Sequence, residues 1–326
     1  MTDACHLACS VAMTTYNSAF YLKEQLDSIK NQTRTVDEVI IVDDASTNQT
    51  PQLIRQYIQN NHLEHWKLVV NPHNLGYIKS FQKALSLCSG KIIFLCDHDD
   101  RWHPDKVKIM AKYMEENPQI LSLLCSFEKI DKDSKPIIEK KRNFSANNGL
   151  IHFRVKGQLT SLNFRDVLIY NAGQGCLQAL RKSLAVQYLQ IGQNLNLPHD
   201  WSISVLASLR QGLYYLDQKL VFYRIYEGNT LGLTRCKNWP DRCQRAHQDA
   251  IQKRDLLTLV KRDPKSNAVQ KKLARKVSCL YDRREEALCN RDLSDFFWLG
   301  INSLIWKGLY RTIGLDLFTV VHEIVN

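Results

Sequence analysis

"IIFLCDHDDRW", residues 92–102, sets five apolar residues directly against three aspartates packed into four positions. A short apolar run bounded by polar residues reads as a strand buried on both faces. Carboxylates this close repel one another unless something positive sits among them. The segments before it repeat the arrangement. "LACSVAM" (7–13), Val39–Val42 within "DEVIIVDD", and "KLVVN" (67–71) are three more apolar strands. Helical patterns separate them: Tyr21, Leu22, Leu26 and Ile29 share a face, and residues 75–88 form another helix. Thr50 is the expected N-cap of the helix between the second and third strands, with Pro51 at its first position. A further helix starts at Pro104 and places Val107, Met110, Ala111 and Met114 along one face. Apolar strands alternating with helices predict an α/β fold, a mostly parallel sheet flanked by helices. Ligands of such sheets bind at the carboxyl ends of the strands. "TTYN", "DDAST", "NPHNLG" and "DHDD" each follow a strand, so all four are expected at one crevice.

The chain of 326 residues is long enough for a large catalytic domain with an appendage. Hydrophobic content of 44% and charged content of 24% are those of a globular protein and exclude wholesale disorder. No N-terminal signal peptide is evident, and the ten cysteines form no CxxC pair. Cys9, Cys96 and Cys125 fall inside apolar runs, where cysteine acts as a small hydrophobe. Reduced cysteines and a cytoplasmic location are therefore expected, without a zinc site.

The net charge of +11 is concentrated. Between Arg235 and Arg291 stand 16 Lys/Arg against 7 Asp/Glu, without the interleaved aromatics of an RNA-binding surface. No nucleic-acid partner is expected, which leaves an anionic membrane surface or a solvated helix face. The tail from Asp295 onward is apolar but is interrupted by Lys307, Arg311 and Asp316, too frequently for a membrane span. It reads as an interfacial amphipathic segment or as a helix packed on the core.

The second half is less regular. Residues 119–126 suggest a strand, and 131–165 are polar and rich in loop signals, an excursion expected over the active-site face. "NAGQGCLQALRKSL" resumes order, and "PHDWSISVLASL" starts a helix with an acidic residue in its first turn. The expected division is a domain over 1–232 in two halves, 1–105 and 106–232. A basic helical and amphipathic extension follows over 233–326.

A dinucleotide site would carry G-x-G-x-x-G at the first strand–helix turn. Here that turn is "MTTYNSAF", without a glycine. The second strand ends instead in Asp43-Asp44 and the fourth in Asp97-x-Asp99-Asp100. Carboxylates would repel a pyrophosphate unless a divalent cation lay between them. Mg²⁺ and Mn²⁺ bridge carboxylate oxygens to diphosphates in this way. The pattern thus points to a metal-dependent nucleoside-diphosphate site.

Taken as a set, "SVAMTTYNSAFYLKEQLDSIKNQT", "DEVIIVDDASTNQT", "NLGYIKSFQKAL" and "GKIIFLCDHDDRWHPDKV" resemble the family 2 glycosyltransferases of the GT-A fold. "NAGQGCLQALRKSL", "LPHDWSISVLA" and "LVFYRIYEGNT" are similar to the rhamnosyltransferase-like branch. The resemblance spans residues 7–232 and implies inverting transfer of a sugar from a nucleoside diphosphate to a hydroxyl, with a divalent metal. It implies Thr14 and Tyr16 beside the nucleobase and Asp44 on the base or ribose. Asp97, Asp99 and Asp100 match the motif that holds ribose and metal, with Asp99 and Asp100 the expected metal pair and Asp97 and Asp99 on the nucleotide sugar. One of the three is free to shape the loop through backbone hydrogen bonds instead. Asp200 is the matching general base, and a helix N-terminus favours its anionic form. Gly173, Gly175, His199 and Trp201 are candidate acceptor or donor contacts, and Arg224 would steady the departing diphosphate. The donor implied is a dTDP- or UDP-sugar, and the acceptor a glycan or lipid-linked hydroxyl at the inner membrane face.

The chain departs from the family pattern at two places. Tyr226 stands where a histidine is usual, and Ser126-Phe127 replace an aspartate expected soon after a strand. The Tyr226 departure keeps a second reading open, a degenerate protein that holds a sugar nucleotide without turning it over.

Overall fold

The computed structural model describes residues 6–138, 155–226 and 239–292, together with Asp295, Leu299 and Asp316. The first four strands, β1 (Cys9–Thr15), β2 (Glu38–Asp43), β3 (Trp66–Val70) and β4 (Ile92–Cys96), are mutually parallel. Val11 lies between Val39 and Phe94; this register brings the ends of β1 and β2 level and ends β4 two residues short of them, so that Asp97 onward continues beside them. Every residue of β1 and β4 is buried; β4 is apolar throughout, and β1 also buries Ser10, Thr14 and Thr15. Helices α1 (Leu22–Lys30), α2 (Thr50–Asn60) and α3 (Tyr77–Leu87) make the crossovers. Leu22, Leu26 and Ile29 of α1 are buried on the expected face.

Thr50 is not the N-cap of α2. Asn48 Oδ1 accepts the Thr50 N–H at 3.0 Å, while the Thr50 hydroxyl accepts from Ser18 N–H at 2.9 Å and so ties α2 to the first turn. After the two-residue β5 (Arg101–Trp102), α4 (Lys106–Glu116) begins later than Pro104 and buries Val107, Met110, Ala111 and Met114.

The second half extends the same sheet. β6 (Ser122–Ile130) runs further than expected, through a bulge at Ser126 that shifts its register on β9 (Leu213–Arg224). Between them in sequence come β7 (Leu159–Ser161), α5 (Phe164–Ile169), a 3-10 turn Gly175–Leu177, β8 (Gln178–Arg181), α6 (Lys182–Ile191) and α7 (His199–Ser208). Among the described residues nine strands form one sheet in the order β3-β2-β1-β4-β8-β6-β9-β5, with β7 beside β9. β8 is the hinge of this architecture. It runs antiparallel to both β4 and β6, and so joins the parallel first half to the β6–β9 pair. β7 corrects the reading of 131–165 as loop throughout, while residues 139–154 of that stretch lie outside the described residues.

Helices α8 (Trp239–Arg262) and α9 (Ala268–Asn290) form an antiparallel hairpin, with α9 started by a reciprocal Asn267–Gln270 capping box. Asp263 ends α8 fully buried, gripped by both Arg210 Nη atoms at 2.8 Å and by Gln187 Nε2 at 3.1 Å. The expectation for the apolar tail falls almost wholly outside the described residues. Among the described residues no helix is long and apolar enough to cross a membrane.

Candidate active site

The neighbouring carboxyl ends of β1, β2 and β4 open onto a cavity of about 350 Å³, closed on its far side by the Gly175 turn and the start of α7. Thr14, Tyr16, Asp44, Asp97, Asp99, Gly175, His199 and Asp200 all line it, so eight expected site residues converge. Asp100, Trp201 and Arg224 stand behind its walls instead.

Asp44 follows β2, and its carboxylate takes the Leu75 N–H and the Gly76 N–H at 2.8 Å each and Asn71 Nδ2 at 2.8 Å. Gly76 has φ of +82°, a left-handed conformation in which a side chain would be strained. Burial opposes the charge on Asp44, but the hydrogen bonds from Leu75, Asn71, Ser80 and Gly76 prevail and hold its carboxyl below the ordinary range. Its neighbour Asp43 is wholly buried and accepts from Thr15 and Ser46, which assigns it to shaping the strand end.

The three aspartates after β4 divide sharply. Asp97 borders the cavity; burial first, then Asp100, Asp99 and Asp200, push its carboxyl well above the usual value. Asp100 is buried, with Oδ1 accepting Arg224 N–H at 3.0 Å and Oδ2 without a hydrogen-bond partner. Burial and then Asp99 raise it to about 7, against the pull of Arg224 N–H, the neighbouring Cys176 thiol and Lys106. Asp99 Oδ2 accepts the Tyr226 hydroxyl at 3.0 Å. Ligand atoms of Asp97, Asp100 and Cys176 lie within 4.8 Å of one another, so the cluster suits a cation better with Asp97 and Asp100 than with the expected Asp99–Asp100 pair. Carboxylates resisting ionisation beside an orphaned Asp100 oxygen are what a divalent ion would relieve.

Arg224 departs from its expected place on the diphosphate. It is 0% exposed; Nε donates to Asp99 O at 2.8 Å, Nη1 to Asp131 O at 3.1 Å and Ser134 Oγ at 2.9 Å, and Nη2 to Glu24 at 2.5 Å. Its guanidinium also lies 4.2 Å from the Tyr21 ring. These contacts fasten the aspartate loop to α1 and to the turn after β6.

Across the cavity, Asp200 occupies the first turn of α7, where Oδ1 accepts Trp201 N–H at 2.7 Å. Burial raises its carboxyl to about 6, against hydrogen bonds from Trp201 N–H, the Asn171 side chain and Gly175 N–H. Trp201, expected at the acceptor, instead points inward, and its Nε1 donates to Val167 O at 2.6 Å. His199 stacks on Phe81 with centroids 3.8 Å apart, and neither ring nitrogen has a hydrogen-bond partner. Burial pushes the imidazole down to about 3, so it is neutral at pH 7. Gly175 makes room for it: a Cβ there would lie 2.9 Å from His199 Nε2. Gly173 faces Leu124 instead, where a Cβ would meet the side chain at an ordinary 3.4 Å.

Sequence reasoning missed Lys106, Cys176, Glu24 and Phe81. Lys106 is buried; its Nζ donates to Cys176 O at 2.6 Å and lies 3.8 Å from the Trp102 ring centroid. The signal was present, because Lys106 stands four residues before Met110 on the buried stripe of α4.

The model of the family described as glycosyl transferase family 2 matches residues 10–184, more than half of the chain. The chain belongs to glycosyl transferase family 2. Its fold is that of solved GT-A neighbours. TarS 1–349 of S. aureus, solved in complex with UDP-GlcNAc, superposes with a TM-score of 0.57 at 20% identity, covering 94% of this chain and 90% of that one. The mannosyltransferase PcManGT of Pyrobaculum calidifontis, solved with GDP-Man and Mn²⁺, gives 0.56 at 18% identity, covering 99% and 88%. In sequence, an uncharacterized glycosyltransferase of Methanocaldococcus jannaschii is 34% identical over 134 residues, 40% of this chain and 46% of the relative. The poly(ribitol-phosphate) beta-N-acetylglucosaminyltransferase TarS is 34% identical over 110 residues, 33% of this chain and 19% of TarS. The chain thus spans less than half the length of these curated relatives. Asp200 and α7 lie beyond the residues that the family 2 model matches.

Proposed function

We propose that this chain is an inverting glycosyltransferase that moves a sugar from a nucleoside-diphosphate donor to a hydroxyl, with Asp200 as general base. One observation carries the reading: Asp200 shares a single cavity with Asp97 and Asp99, the nucleotide-sugar candidates, although it comes from a different element. The nucleobase would lie by Thr14, Tyr16 and Asp44, and the diphosphate toward the aspartate loop. Inverting transfer needs a base on the side of the anomeric carbon away from the diphosphate. Asp200, raised to about 6 yet ionised at neutral pH, is suited to accept the proton of the attacking hydroxyl. A divalent metal, Mg²⁺ or Mn²⁺, would be held by Asp97 and Asp100, with Asp99 beside the donor's ribose, and would neutralise the diphosphate charge. Arg224 and Tyr226 keep the aspartate loop in shape. Asn171 Oδ1, Gln174 Oε1 and both His199 nitrogens are buried without partners beside Asp200, which favours a ligand rich in hydroxyls there.

The solved neighbours carry UDP-GlcNAc or GDP-Man, and a UDP-hexose is a natural donor candidate here. The resemblance around "PHDW" favours dTDP-rhamnose. The acceptor is proposed to be a glycan or a lipid-linked saccharide. Exposed Lys261, Arg262, Lys265, Lys272, Arg275 and Lys276 at the α8–α9 corner support peripheral attraction to an anionic membrane at its cytoplasmic face.

The test is release of nucleoside diphosphate from UDP-GlcNAc, UDP-glucose, GDP-mannose and dTDP-rhamnose, each with Mn²⁺ or Mg²⁺. Asp200→Asn should keep Mn²⁺-dependent nucleotide binding in calorimetry while losing about 10²–10⁴ in turnover. Wild-type turnover by this variant removes Asp200 as base. Donor binding without turnover by the unaltered protein indicates a holding protein rather than a transferase.

A further inference from the structure

We propose that Lys253 of α8 is a positioning residue for the reaction, holding Asp200 in place from behind the cavity. The proposal rests on the reading of Asp200 as the base. Lys253 is 2% exposed, and a buried lysine on an apolar stripe needs partners. It stands among Ala246, Ala250, Leu256 and Val260 on the face of α8 that meets the catalytic body. Its Nζ donates to Leu168 O at 2.8 Å and Ile169 O at 2.6 Å, the last carbonyls of α5. The same ammonium lies 3.9 Å from the Trp201 ring centroid and 4.8 Å from that of Tyr281 on α9. Burial pushes the amine well below its ordinary value, and the carbonyls at a helix C-terminus and the indole face are the contacts that favour its charged form.

Both anchored groups lead directly to the base. Trp201 follows Asp200, and its backbone N–H holds Asp200 Oδ1 while its indole N–H is fixed to Val167 O within α5. Two residues beyond Ile169 comes Asn171, and four further on Gly175; both hydrogen-bond the Asp200 carboxylate. Lys253 therefore fastens the indole on one flank of Asp200 and the root of the 170–175 turn on the other. Two groups that reach the carboxylate separately are joined at a single nitrogen. This gives the α8–α9 hairpin a role in the chemistry although it touches no cavity-lining residue through Lys253.

Lys253→Met keeps the length of the stem and removes the ammonium, and Lys253→Arg restores donors and cation. Steady-state release of nucleoside diphosphate is measured with the donor that the unaltered protein turns over, and UDP with Mn²⁺ is the binding probe. Lys253→Met should lower kcat by about ten- to a hundredfold with donor KM and UDP affinity unchanged, since small misplacements of a reacting group cost this much. Lys253→Arg should recover most of the loss. If Lys253→Met has the kcat of the unaltered protein while Asp200→Asn is inactive, Lys253 does not position the base, and the base assignment stands. If Asp200→Asn is active, the base assignment itself fails and Lys253 fails with it. A loss that appears equally in KM and UDP affinity also overturns the proposal, because it marks general loosening. Should Lys253→Met not melt cooperatively, Trp201→Phe decides. It removes the bond to Val167 O and should lower kcat alone; unchanged kcat counts against the proposal.

Discussion

The Tyr226 hydroxyl donates to Asp99 Oδ2 at 3.0 Å, across a sequence separation of 127 residues. Tyr226 stands where the resemblance led to the expectation of a histidine, and it serves the aspartate loop through its own hydroxyl. Its ring is in turn set edge-on to Tyr21, with centroids 5.0 Å apart. A bond of this kind orients a carboxylate before a cation or ribose arrives. Tyr226→Phe should therefore weaken Mn²⁺-supported UDP binding by about tenfold, the usual scale for losing one hydrogen bond. Calorimetry with and without Mn²⁺ checks this, and equal affinity in the variant would remove Tyr226 from the donor site.

Asp200 gives the proposed reaction its pH dependence. Its carboxyl is raised by burial to about 6, and the base must be ionised to accept a proton. With saturating Mn²⁺ keeping Asp97 and Asp100 ionised, activity should thus be full well above that value and decline as pH falls through it, by about tenfold for each further unit. The limb should appear in kcat/KM, which reports the free enzyme. A profile flat down to pH 4.5 contradicts the assignment. His199 does not confuse the reading, because burial drives its titration down to about 3.

How much of this was legible in the sequence follows from the range of each interaction. β1, β2 and β4 are buried on both faces, and apolar runs announce such strands directly. Asp44, Asp97 and Asp200 were legible because a strand end or a helix start places them at the crevice regardless of other contacts. β5 and β7, two and three residues long, carry no periodicity that could betray them. The misjudged role of Arg224 has another cause. An arginine near a diphosphate site reads as a phosphate ligand, but its partner Glu24 lies 200 residues away and is visible only once the sheet closes. Lys106 and Lys253 sit on buried helical stripes, a position where a lysine should have been asked for its partner.

Arg224 is the residue whose loss should be felt first as stability. Its side chain is fully buried, whereas Glu24 is 33% exposed, so water softens the cost to the glutamate. The carbonyls of Asp99 and Asp131 and the Ser134 hydroxyl would still lose their donor. Arg224→Met should destabilise by about 3 kcal/mol, the lower end for breaking a buried ion pair. Urea unfolding measures it. The same variant should lose Mn²⁺-dependent UDP binding at temperatures where it remains folded, because the Asp99 loop is no longer tied to α1. A stability loss without any change in binding would separate Arg224 from the site.

Gly175 offers the sharpest test of the cavity's far wall. Its absent side chain is the space into which His199 Nε2 projects, and its N–H also holds Asp200. A methyl at 2.9 Å from that nitrogen cannot be accommodated without displacing the imidazole. The imidazole cannot yield toward Phe81, against which it is already stacked at 3.8 Å. Gly175→Ala should therefore disturb the hydroxyl-binding side of the cavity and the base together, while the nucleotide end, built from β1, β2 and β4, is untouched. The expected result is a loss of turnover of about a hundredfold with UDP affinity retained, since a displacement near 1 Å at the reacting centre suffices for that. Gly175→Ala combined with His199→Ala relieves the clash and should restore part of the turnover. If the double variant is no better than Gly175→Ala, the glycine acts through its backbone bond to Asp200 and not through the room it leaves for His199.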